Sequence, residues 1–229
     1  MENTLDSEIE NSVKAAKLEY EKEPMKDFYK NKIAGYPSRL RVKKLLMEIG
    51  DIRGKRVLDI GCEAGYVAFK LLAKHPKEFY GIDIVDEALK EFKRKIEKVK
   101  EKRKIDTKIV LKKAFLQKMP FKEDFFEIIV CTEVIEHAPN IDKGFKEMSR
   151  VLKKGGKLFL TFPNEKLRKK VYPLVKILGV NTDIEKEVTL FDYDPKYILG
   201  LLRKNFRINK YHRFPFYFPM TNLVVCEKV

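Results

Sequence analysis

The chain has no tryptophan, one glutamine, three histidines and three cysteines among its 229 residues. Cys62, Cys131 and Cys226 lie far apart and form no CxxC pair, which argues against a zinc knuckle or a disulfide framework. No stretch approaches the roughly 20 apolar residues that a membrane-spanning helix requires. The acidic, polar N-terminus also lacks the basic start and apolar core of a secretory signal. We therefore expect reduced thiols and a soluble, cytoplasmic protein.

Acidic residues are in the minority: 34 Asp and Glu stand against 49 Lys and Arg, which gives a net charge of +15 at pH 7. A field of this sign attracts nucleic acids, anionic membranes and acidic metabolites. The surplus has a second explanation, because a composition rich in lysine and glutamate and poor in glutamine is typical of proteins from hot environments. With 44% hydrophobic residues the chain can bury one sizeable core, and two full domains are not expected.

Short apolar runs alternate with longer amphipathic ones from residue 56 onward, a pattern that indicates a parallel sheet covered by helices. The predicted strands are RVLDI (56–60), FYGIDI (79–84), TKIVL (107–111), FEIIVC (126–131) and KLFLTF (157–162). In KKGGK, Gly155 and Gly156 are expected to end the helix that precedes the fifth strand. Two further β-rich runs, 206–214 and 221–229, are joined by a short connection and should pair in antiparallel fashion.

The first fifty or so residues follow a different pattern. Residues 5–20 and 40–49 carry apolar residues at spacings of three and four, and Pro24, Gly35 and Pro37 mark breaks between them. This predicts an N-terminal helical extension or lid over residues 1–54, followed by an α/β domain over residues 55–229.

The first strand ends in Asp59 and runs directly into a loop that contains Gly61 and Gly65. Backbone amides at the start of the following helix can contact a ligand there, because glycine has no side chain to obstruct it. The GxxxG spacing differs from the GxGxxG of dinucleotide-binding loops, and no GxxxxGK[ST] phosphate loop occurs. At the end of the second strand, Asp83 is placed to accept hydrogen bonds from both hydroxyls of a ribose. Together the two motifs favour a nucleoside ligand without phosphates.

Four segments occur in the order VLDIGCEAG, GIDI, FEIIVCTEVIEH and EMSRVLKKGGKLFLTFPN. They resemble the class I S-adenosylmethionine-dependent methyltransferases, and most closely the methyltransferase type 11 subgroup that includes the ubiquinone-biosynthesis O-methyltransferases. The resemblance covers residues 39–229. It implies a Rossmann-like, seven-stranded, mostly parallel sheet in the order 3-2-1-4-5-7-6, with strand 7 antiparallel and helices on both faces. It also implies S-adenosyl-L-methionine as the cofactor.

The resemblance assigns residues to the parts of that cofactor. Asp83 would hold the ribose, and Ile84 would lie against the adenine. Relatives carry an acidic residue for the adenine amino group after the third strand, whereas this chain has Phe115 there, and we expect Phe115 to pack on the adenine while the backbone near Leu116 reads the ring edge. Cys131 would line the sulfonium side of the pocket. The loop around the methionyl part would contain Asp59, Gly61, Cys62, Glu63 and Gly65.

Each assignment also has a purely structural alternative. The aspartates can cap turns, the glycines can serve tight strand-to-helix packing, and the cysteines can be small buried hydrophobic residues. Their joint placement at successive strand C-termini favours the cofactor site, because ligands of open α/β sheets bind at that edge.

The segment EVIEH spaces Glu133, Glu136 and His137 so that a helical turn would carry both carboxylates and the imidazole on one side. A similar ExxEH occurs in the small-RNA 3′-terminal 2′-O-methyltransferases, where a further histidine completes a divalent-metal site. No histidine occurs between residues 157 and 199 of this chain, so we predict no metal. His137 and Glu133 are instead the predicted catalytic residues, which orient or deprotonate a hydroxyl or amine.

The acceptor is left open by the sequence. A small metabolite methylated on oxygen or nitrogen is the favoured substrate; an RNA, with or without metal assistance, is the alternative, and a catalytically inactive RNA-binding module of the same fold is a third reading. A Rossmann dehydrogenase is disfavoured by the GxxxG spacing. The basic run 93–108 is expected to be a solvated helix face. Candidates for contact with an acidic acceptor are Tyr36, Arg39, Arg168, Lys169, Lys170 and Tyr172.

Overall fold

The structure is a computed structural model in which residues 2–22, 35–102, 104–170, 189–215 and 220–229 are described. The helices are labelled in chain order as α1 (Glu2–Lys22), α2 (Tyr36–Ile49), α3 (Tyr66–Leu72), α4 (Asp86–Lys100), α5 (Ile141–Val151) and α6 (Pro195–Leu202). A short 3₁₀ turn covers Ile135–His137, and residues 165–170 are helical as well. Among the described residues, every helix is too short or too polar to span a lipid bilayer.

Seven strands form one sheet in the order β3-β2-β1-β4-β5-β7-β6. The strands are β1 (Arg56–Ile60), β2 (Glu78–Asp83), β3 (Lys108–Lys113), β4 (Phe126–Thr132), β5 (Leu152–Pro163), β6 (Phe206–Phe214) and β7 (Thr221–Lys228). Strands β1 to β5 pair in parallel, whereas β7 runs antiparallel to both β5 and β6. This confirms the predicted fold class and strand order, including the antiparallel pairing of the last two strands.

The sheet is covered on both faces because its strands alternate their apolar side chains between two cores. In β1, Leu58 and Ile60 contribute to the core beneath α5 and α6, and Val57 contributes to the core beneath α2, α3 and α4. Successive side chains of a strand point to opposite faces, so a continuous apolar run supplies both cores at once. This doubly covered sheet directs the carboxyl ends of β1, β2 and β4 to a common edge.

The junction between α5 and β5 differs from the sequence prediction. We expected Gly155 and Gly156 to end the helix, but α5 ends at Val151 and β5 begins at once with Leu152. Gly155 has φ +72°, and the register with β4 shifts between Leu152 and Lys157. The left-handed glycine therefore belongs to an irregularity within the strand. A glycine in this conformation also ends many helices, and the local sequence does not distinguish the two cases.

The predicted N-terminal extension contains two helices with different surroundings. Helix α2 buries Val42, Leu45 and Ile49 in the same core as β1 and β7, whereas α1 lies over the carboxyl edge of the sheet. The division into residues 1–54 and 55–229 stays a prediction. Pro24, Tyr172 and residues 171–188 lie outside the described residues.

Candidate active site

The carboxyl ends of β1, β2 and β4 open into one cavity, which the loops after β3 and β4 and helix α1 enclose. This is the edge at which open α/β sheets bind their ligands. Eight of the predicted site residues line it: Gly61, Glu63, Asp83, Ile84, Phe115, Leu116, Glu133 and His137.

Two glycines allow the loop after β1 to pass close to its neighbours. Gly61 has φ +70°, and a Cβ built there would lie 2.3 Å from a methyl of Val134. Gly65 has φ +92°, and its Cβ would lie 2.5 Å from the ring of Phe92. Both the left-handed backbone and the lack of space require glycine. The Gly65 contact fixes the start of α3 against α4, so this residue shapes the loop without lining the cavity.

Asp83 ends β2 and holds the loop after β1 in place. Its Oδ2 accepts a hydrogen bond from the Glu63 amide at 2.8 Å, and its Oδ1 accepts one from the Val85 amide at 2.9 Å. Burial raises the pKa of Asp83, while these amides act in the opposite direction. The side chain lines the cavity, so its remaining lone pairs are available to hydroxyl donors.

Asp59 has a different position from the one the resemblance implied. It is 1% exposed, does not line the cavity, and within the described residues neither carboxylate oxygen has a hydrogen-bond partner. Burial, followed by the charge of Asp83, raises the pKa of Asp59 to about 8. A buried carboxyl group without partners is costly to ionise, and a cation brought near this edge would favour the charged form.

The predicted site cysteines belong to the hydrophobic cores. Cys62 packs in the core beneath α2, α3 and α4, and Cys131 packs in the core beneath α5 and α6. Neither lines the cavity. Burial raises the pKa of both thiols well above the ordinary value, so both are protonated at neutral pH. The structure thus places them as small apolar residues that support the loops of the site.

The loop after β3 places an aromatic ring in the cavity where relatives carry an acid. A tight turn joins Phe115 to Lys118, whose amide donates to the Phe115 carbonyl at 3.1 Å. The buried side-chain amide of Gln117 donates to the Pro139 carbonyl and ties this turn to the loop after β4. Phe115 and Leu116 line the cavity, which is the placement that packing against an adenine requires.

Glu133 is clamped by two arginines from distant parts of the chain. Its Oε2 lies 3.0 Å from Nη1 of Arg41 in α2 and 2.6 Å from Nη2 of Arg168. Burial opposes ionisation of Glu133, but the charges of Arg41 and Arg168 outweigh it and hold the pKa of Glu133 below its ordinary value. Glu133 is therefore an ionised, charge-neutralised carboxylate and a weak base. The sequence offered no signal for this pairing.

Glu136 and His137 do not share one side of a helical turn, so that prediction is wrong. Glu133 has φ +53° and precedes the turn, and the turn itself is 3₁₀, in which adjacent residues point about 120° apart. His137 lines the main cavity, and its Nε2 lies 3.7 Å from Oε2 of Glu19. Glu136 faces a separate small cavity beside Phe162. Within the described residues, no group of three or more His, Cys, Asp and Glu side chains is arranged to hold a metal ion.

Helix α1 supplies part of the cavity wall that the sequence did not identify. Its contacts with the α/β domain include Tyr20, whose hydroxyl donates to Glu91, and Lys17, whose Nζ lies 3.6 Å from Glu87. The residues of α1 that line the cavity are spaced by three and four, so the sequence alone predicts that they share one face of a helix. Only the fold shows that this face covers the cavity. Its lining residues are Ile9, Ser12, Ala16, Glu19 and Tyr20.

The raised pKa of Glu136 predicts that the stability of the protein depends on pH. Burial, and next the charge of Glu133, raise the pKa of Glu136 to about 8, against about 4.3 in an unfolded chain. Between these values the native state holds a proton that the unfolded state releases, so the free energy of unfolding falls as the pH rises. Glu136→Gln is expected to gain on the order of 2–4 kcal/mol relative to wild type between pH 5 and pH 8.

Urea unfolding at pH 5, 6.5 and 8 measures this gain. Glu97→Gln, the same change on the exposed face of α4, is the control and should show a difference from wild type that varies by no more than about 0.5 kcal/mol with pH. Equal pH dependence in the two variants would contradict a proton held on Glu136.

Comparison with known proteins agrees with this architecture. Residues 58–160 match a family model described as a methyltransferase domain. The solved structure of an S-adenosylmethionine-dependent methyltransferase from Mesorhizobium loti superposes with a TM-score of 0.64 at 16% identity, over 85% of this chain and 99% of that one. The match over residues 58–160 and the shared fold confirm the resemblance to the class I S-adenosylmethionine-dependent methyltransferases that the motifs indicated.

Two curated relatives have different substrates in their names. The ubiquinone biosynthesis O-methyltransferase of Coxiella burnetii is 30% identical over 139 residues, which are 59% of this chain and 55% of that protein. The tRNA U34 carboxymethyltransferase of Campylobacter curvus is 33% identical over 110 residues, 48% of this chain and 35% of that protein. The chain spans about half the length of the first curated relatives it matches.

Proposed function

We propose that this protein transfers a methyl group from S-adenosyl-L-methionine to an oxygen or nitrogen atom of an acceptor. The observation that carries the proposal is the convergence of Asp83, the Gly61 loop and Phe115 on one cavity at the carboxyl edge of a methyltransferase-type sheet. This cavity offers a carboxylate for ribose hydroxyls, a glycine loop for close backbone approach and an aromatic ring for a base.

The residues present fit this cofactor. Asp83 and Ile84 would hold the adenosine part together with Phe115 and Leu116, and the loop of Gly61 and Glu63 would border the methionyl part. The carboxyl group of Asp59, which has no hydrogen-bond partner within the described residues, lies next to this loop in sequence and would compensate a positive charge there. When bound, S-adenosyl-L-methionine supplies an electrophilic methyl group.

The protein's own contribution is orientation, exclusion of water and acceptance of a proton. Methyl transfer needs an aligned nucleophile more than covalent machinery, and α1 covers the cavity with Ser12, Ala16 and Tyr20. His137 is the base in this scheme, because its imidazole lines the cavity and takes up the proton of a hydroxyl or amine acceptor. Glu133 is a positioning residue, since its two arginine partners make it a weak base.

Two classes of acceptor are supported by different observations. A small metabolite is supported by the ubiquinone biosynthesis O-methyltransferase relatives and by the enclosed cavity. An RNA is supported by the tRNA-modifying relative and by the net charge of +15. Transfer of a tritiated methyl group from S-adenosylmethionine to phenols, amines, carboxylates and total RNA, in chelator and with added divalent metal, distinguishes the two classes and tests metal dependence.

His137→Ala is expected to lower the turnover number for the accepted substrate by roughly 100-fold or more at saturating cofactor, because a positioned base contributes about 10² to 10⁴ in rate. The measurement is turnover from pH 6 to 9 together with the dissociation constant for S-adenosylmethionine, which should stay within a few-fold of wild type. His75→Asn, on an exposed histidine after α3, is the matched control. Unchanged turnover across this pH range would refute the assignment of His137 as the base.

A further inference from the structure

A second depression lies between α2 and α3, outside the cofactor cavity. Its charged lining residues are Arg39 and Lys43 from α2, Lys70 from α3 and Lys74 from the turn after α3. Leu46 and Tyr66 contribute apolar and aromatic surface to the same lining. We call this depression the α2/α3 groove. Within the described residues no acidic side chain lines it, so every charge in it has the same sign.

The cations form two rows, one on each wall of the groove. Arg39 and Lys43 are four residues apart on α2, and Lys70 and Lys74 have the same spacing on the other wall. Four residues rise about 6 Å along a helix, so the α2 wall presents two positive charges at about that separation. Lys74 Nζ donates to the Gly50 carbonyl at 2.8 Å, which holds this ammonium at the end of α2.

The lysine charges in the groove are not neutralised by the described part of the chain. Lys43 and Lys70 form no ion pair with any described carboxylate, although many other lysines of this protein do, such as Lys113 with Asp86 at 2.6 Å. Like charges gathered without counterions destabilise a folded surface slightly, and a bound polyanion would relieve that repulsion. The groove therefore has the electrostatics of an anion site.

An aromatic ring distinguishes this groove from an ordinary lysine patch. The Tyr66 ring lies in the groove with Lys70 Nζ 4.8 Å from its centroid, and Met47, which also lines the groove, is 65% exposed. A phosphate or a carboxylate alone would make no favourable contact with this aromatic and apolar surface. Positive charge along a groove combined with an aromatic side chain is the arrangement that binds single-stranded nucleic acid, in which phosphates meet cations and bases meet rings.

Two segments of the chain connect the groove with the cofactor site. Tyr66 directly follows Gly65 of the loop after β1, and Arg39 is two residues before Arg41, which pairs with Glu133 at 3.0 Å. Arg39 and Arg41 both act electrostatically on the Tyr66 hydroxyl, whose pKa burial raises and these two charges lower. The groove is thus built partly from the same two segments, the loop after β1 and helix α2, that contribute to the cofactor site.

We propose that the α2/α3 groove binds the backbone of single-stranded RNA and directs an acceptor nucleotide toward the cofactor cavity. The identity of the acceptor rests on the proposed methyltransferase function, whereas RNA binding in the groove requires no cofactor and is measured without it. Lys43 and Lys70 contact phosphates, and Tyr66 stacks with a base.

The experiment is fluorescence anisotropy with an end-labelled, mixed-sequence single-stranded RNA of about 20 nucleotides, at about 50 and 200 mM salt, the range over which phosphate contacts lose affinity. The variant Lys43→Gln/Lys70→Gln should bind about tenfold more weakly at the lower salt, with a salt slope reduced by about 1.4, because each lost contact with a single strand removes about 0.7. Tyr66→Leu should lose about tenfold with an unchanged slope, since base stacking is not ionic.

The matched control is Lys93→Gln/Lys98→Gln, which removes the same two charges from the exposed face of α4 and should bind within about twofold of wild type. Absence of RNA binding by the wild type at the lower salt would overturn the proposal. Equal loss in the two double variants would also overturn it, because binding would then follow net charge alone. The proposal would also be overturned if the groove substitutions weakened the binding of tripolyphosphate but did not weaken the binding of RNA.

Titration of the same variants with S-adenosylmethionine separates this proposal from the proposed function. Loss of RNA binding with retained cofactor binding supports the groove and shows that the variants are folded. RNA binding that depends on the groove in a protein that binds no S-adenosylmethionine would support the groove and refute the methyltransferase function.

Discussion

Asp83→Ala is expected to lower the affinity for S-adenosylmethionine by about 100-fold or more. Asp83 is a partly buried carboxylate that lines the cavity, and hydrogen bonds from hydroxyl groups to a charged acceptor contribute about 1.5–3 kcal/mol each. Loss of two such bonds exceeds the 2.7 kcal/mol that corresponds to about 100-fold in affinity. The substitution also removes the acceptor for the Glu63 and Val85 amides, so the loop after β1 loses its support.

Calorimetric titration with S-adenosylmethionine and S-adenosylhomocysteine measures this effect, with and without added divalent metal. Asp86→Ala is the control, because Asp86 lies three residues away, is paired with Lys113 and does not line the cavity. A thermal unfolding scan of each variant confirms that it is folded. Asp83→Ala with the affinity of wild type would show that the cofactor does not depend on this carboxylate and would remove the main support for the assigned site.

Arg41→Met is expected to destabilise the protein by about 3 kcal/mol. The Arg41 side chain is 5% exposed and the Glu133 side chain 11%, so loss of the guanidinium leaves a buried carboxylate with one of its two cationic partners. Removing one member of a buried ion pair costs about 3–5 kcal/mol, because the remaining charge stays desolvated. The pKa of Glu133 should rise at the same time, since the charge of Arg41 is the larger of the two that lower it.

Urea unfolding of a double-mutant cycle tests this expectation. Adding Glu133→Gln to Arg41→Met should recover a large part of the loss, because the amide carries no charge that needs a partner. The control is Arg53→Met, which breaks an ion pair with Asp51 whose side chains are 75% and 61% exposed, and which should leave the free energy of unfolding nearly unchanged. Additive effects of Arg41→Met and Glu133→Gln would exclude a coupled buried pair.

Much of the fold was legible in local sequence. Each predicted strand overlaps an observed one. The reason is that the strands of a parallel sheet covered on both faces have a recognisable sequence pattern, short β-branched runs between amphipathic segments. The exception is the start of β5, where Gly155 was interpreted as a helix end. Gly155 has the left-handed conformation that also ends many helices, but its neighbours in space, which make it part of a strand irregularity, are not in the local pattern.

The sequence predicted those parts of the candidate site that the order and direction of the strands alone bring together. Gly61, Asp83 and Phe115 lie at or just after the ends of β1, β2 and β3, so the parallel arrangement places them at one edge, and all three line the cavity. Arg41 and Arg168 were not expected to meet Glu133, because no periodicity or spacing links α2, the segment after β5 and the loop after β4. The roles of all these site residues in catalysis and binding stay predictions, which the experiments above test.

The sequence by itself determined the class of fold and the family resemblance, since both depend on short-range features: the period of apolar residues, the glycines that permit a left-handed turn, and motifs at strand ends. Only the tertiary structure decided which charged side chains lie next to one another. In the folded chain, Glu136 and His137 line different cavities, and Glu133 lies between two arginines. Helix α1 lies over the site, and a basic groove lies outside it. The physical reason is that these pairings depend on distances between segments remote in sequence, which packing of the whole chain sets and no local pattern encodes.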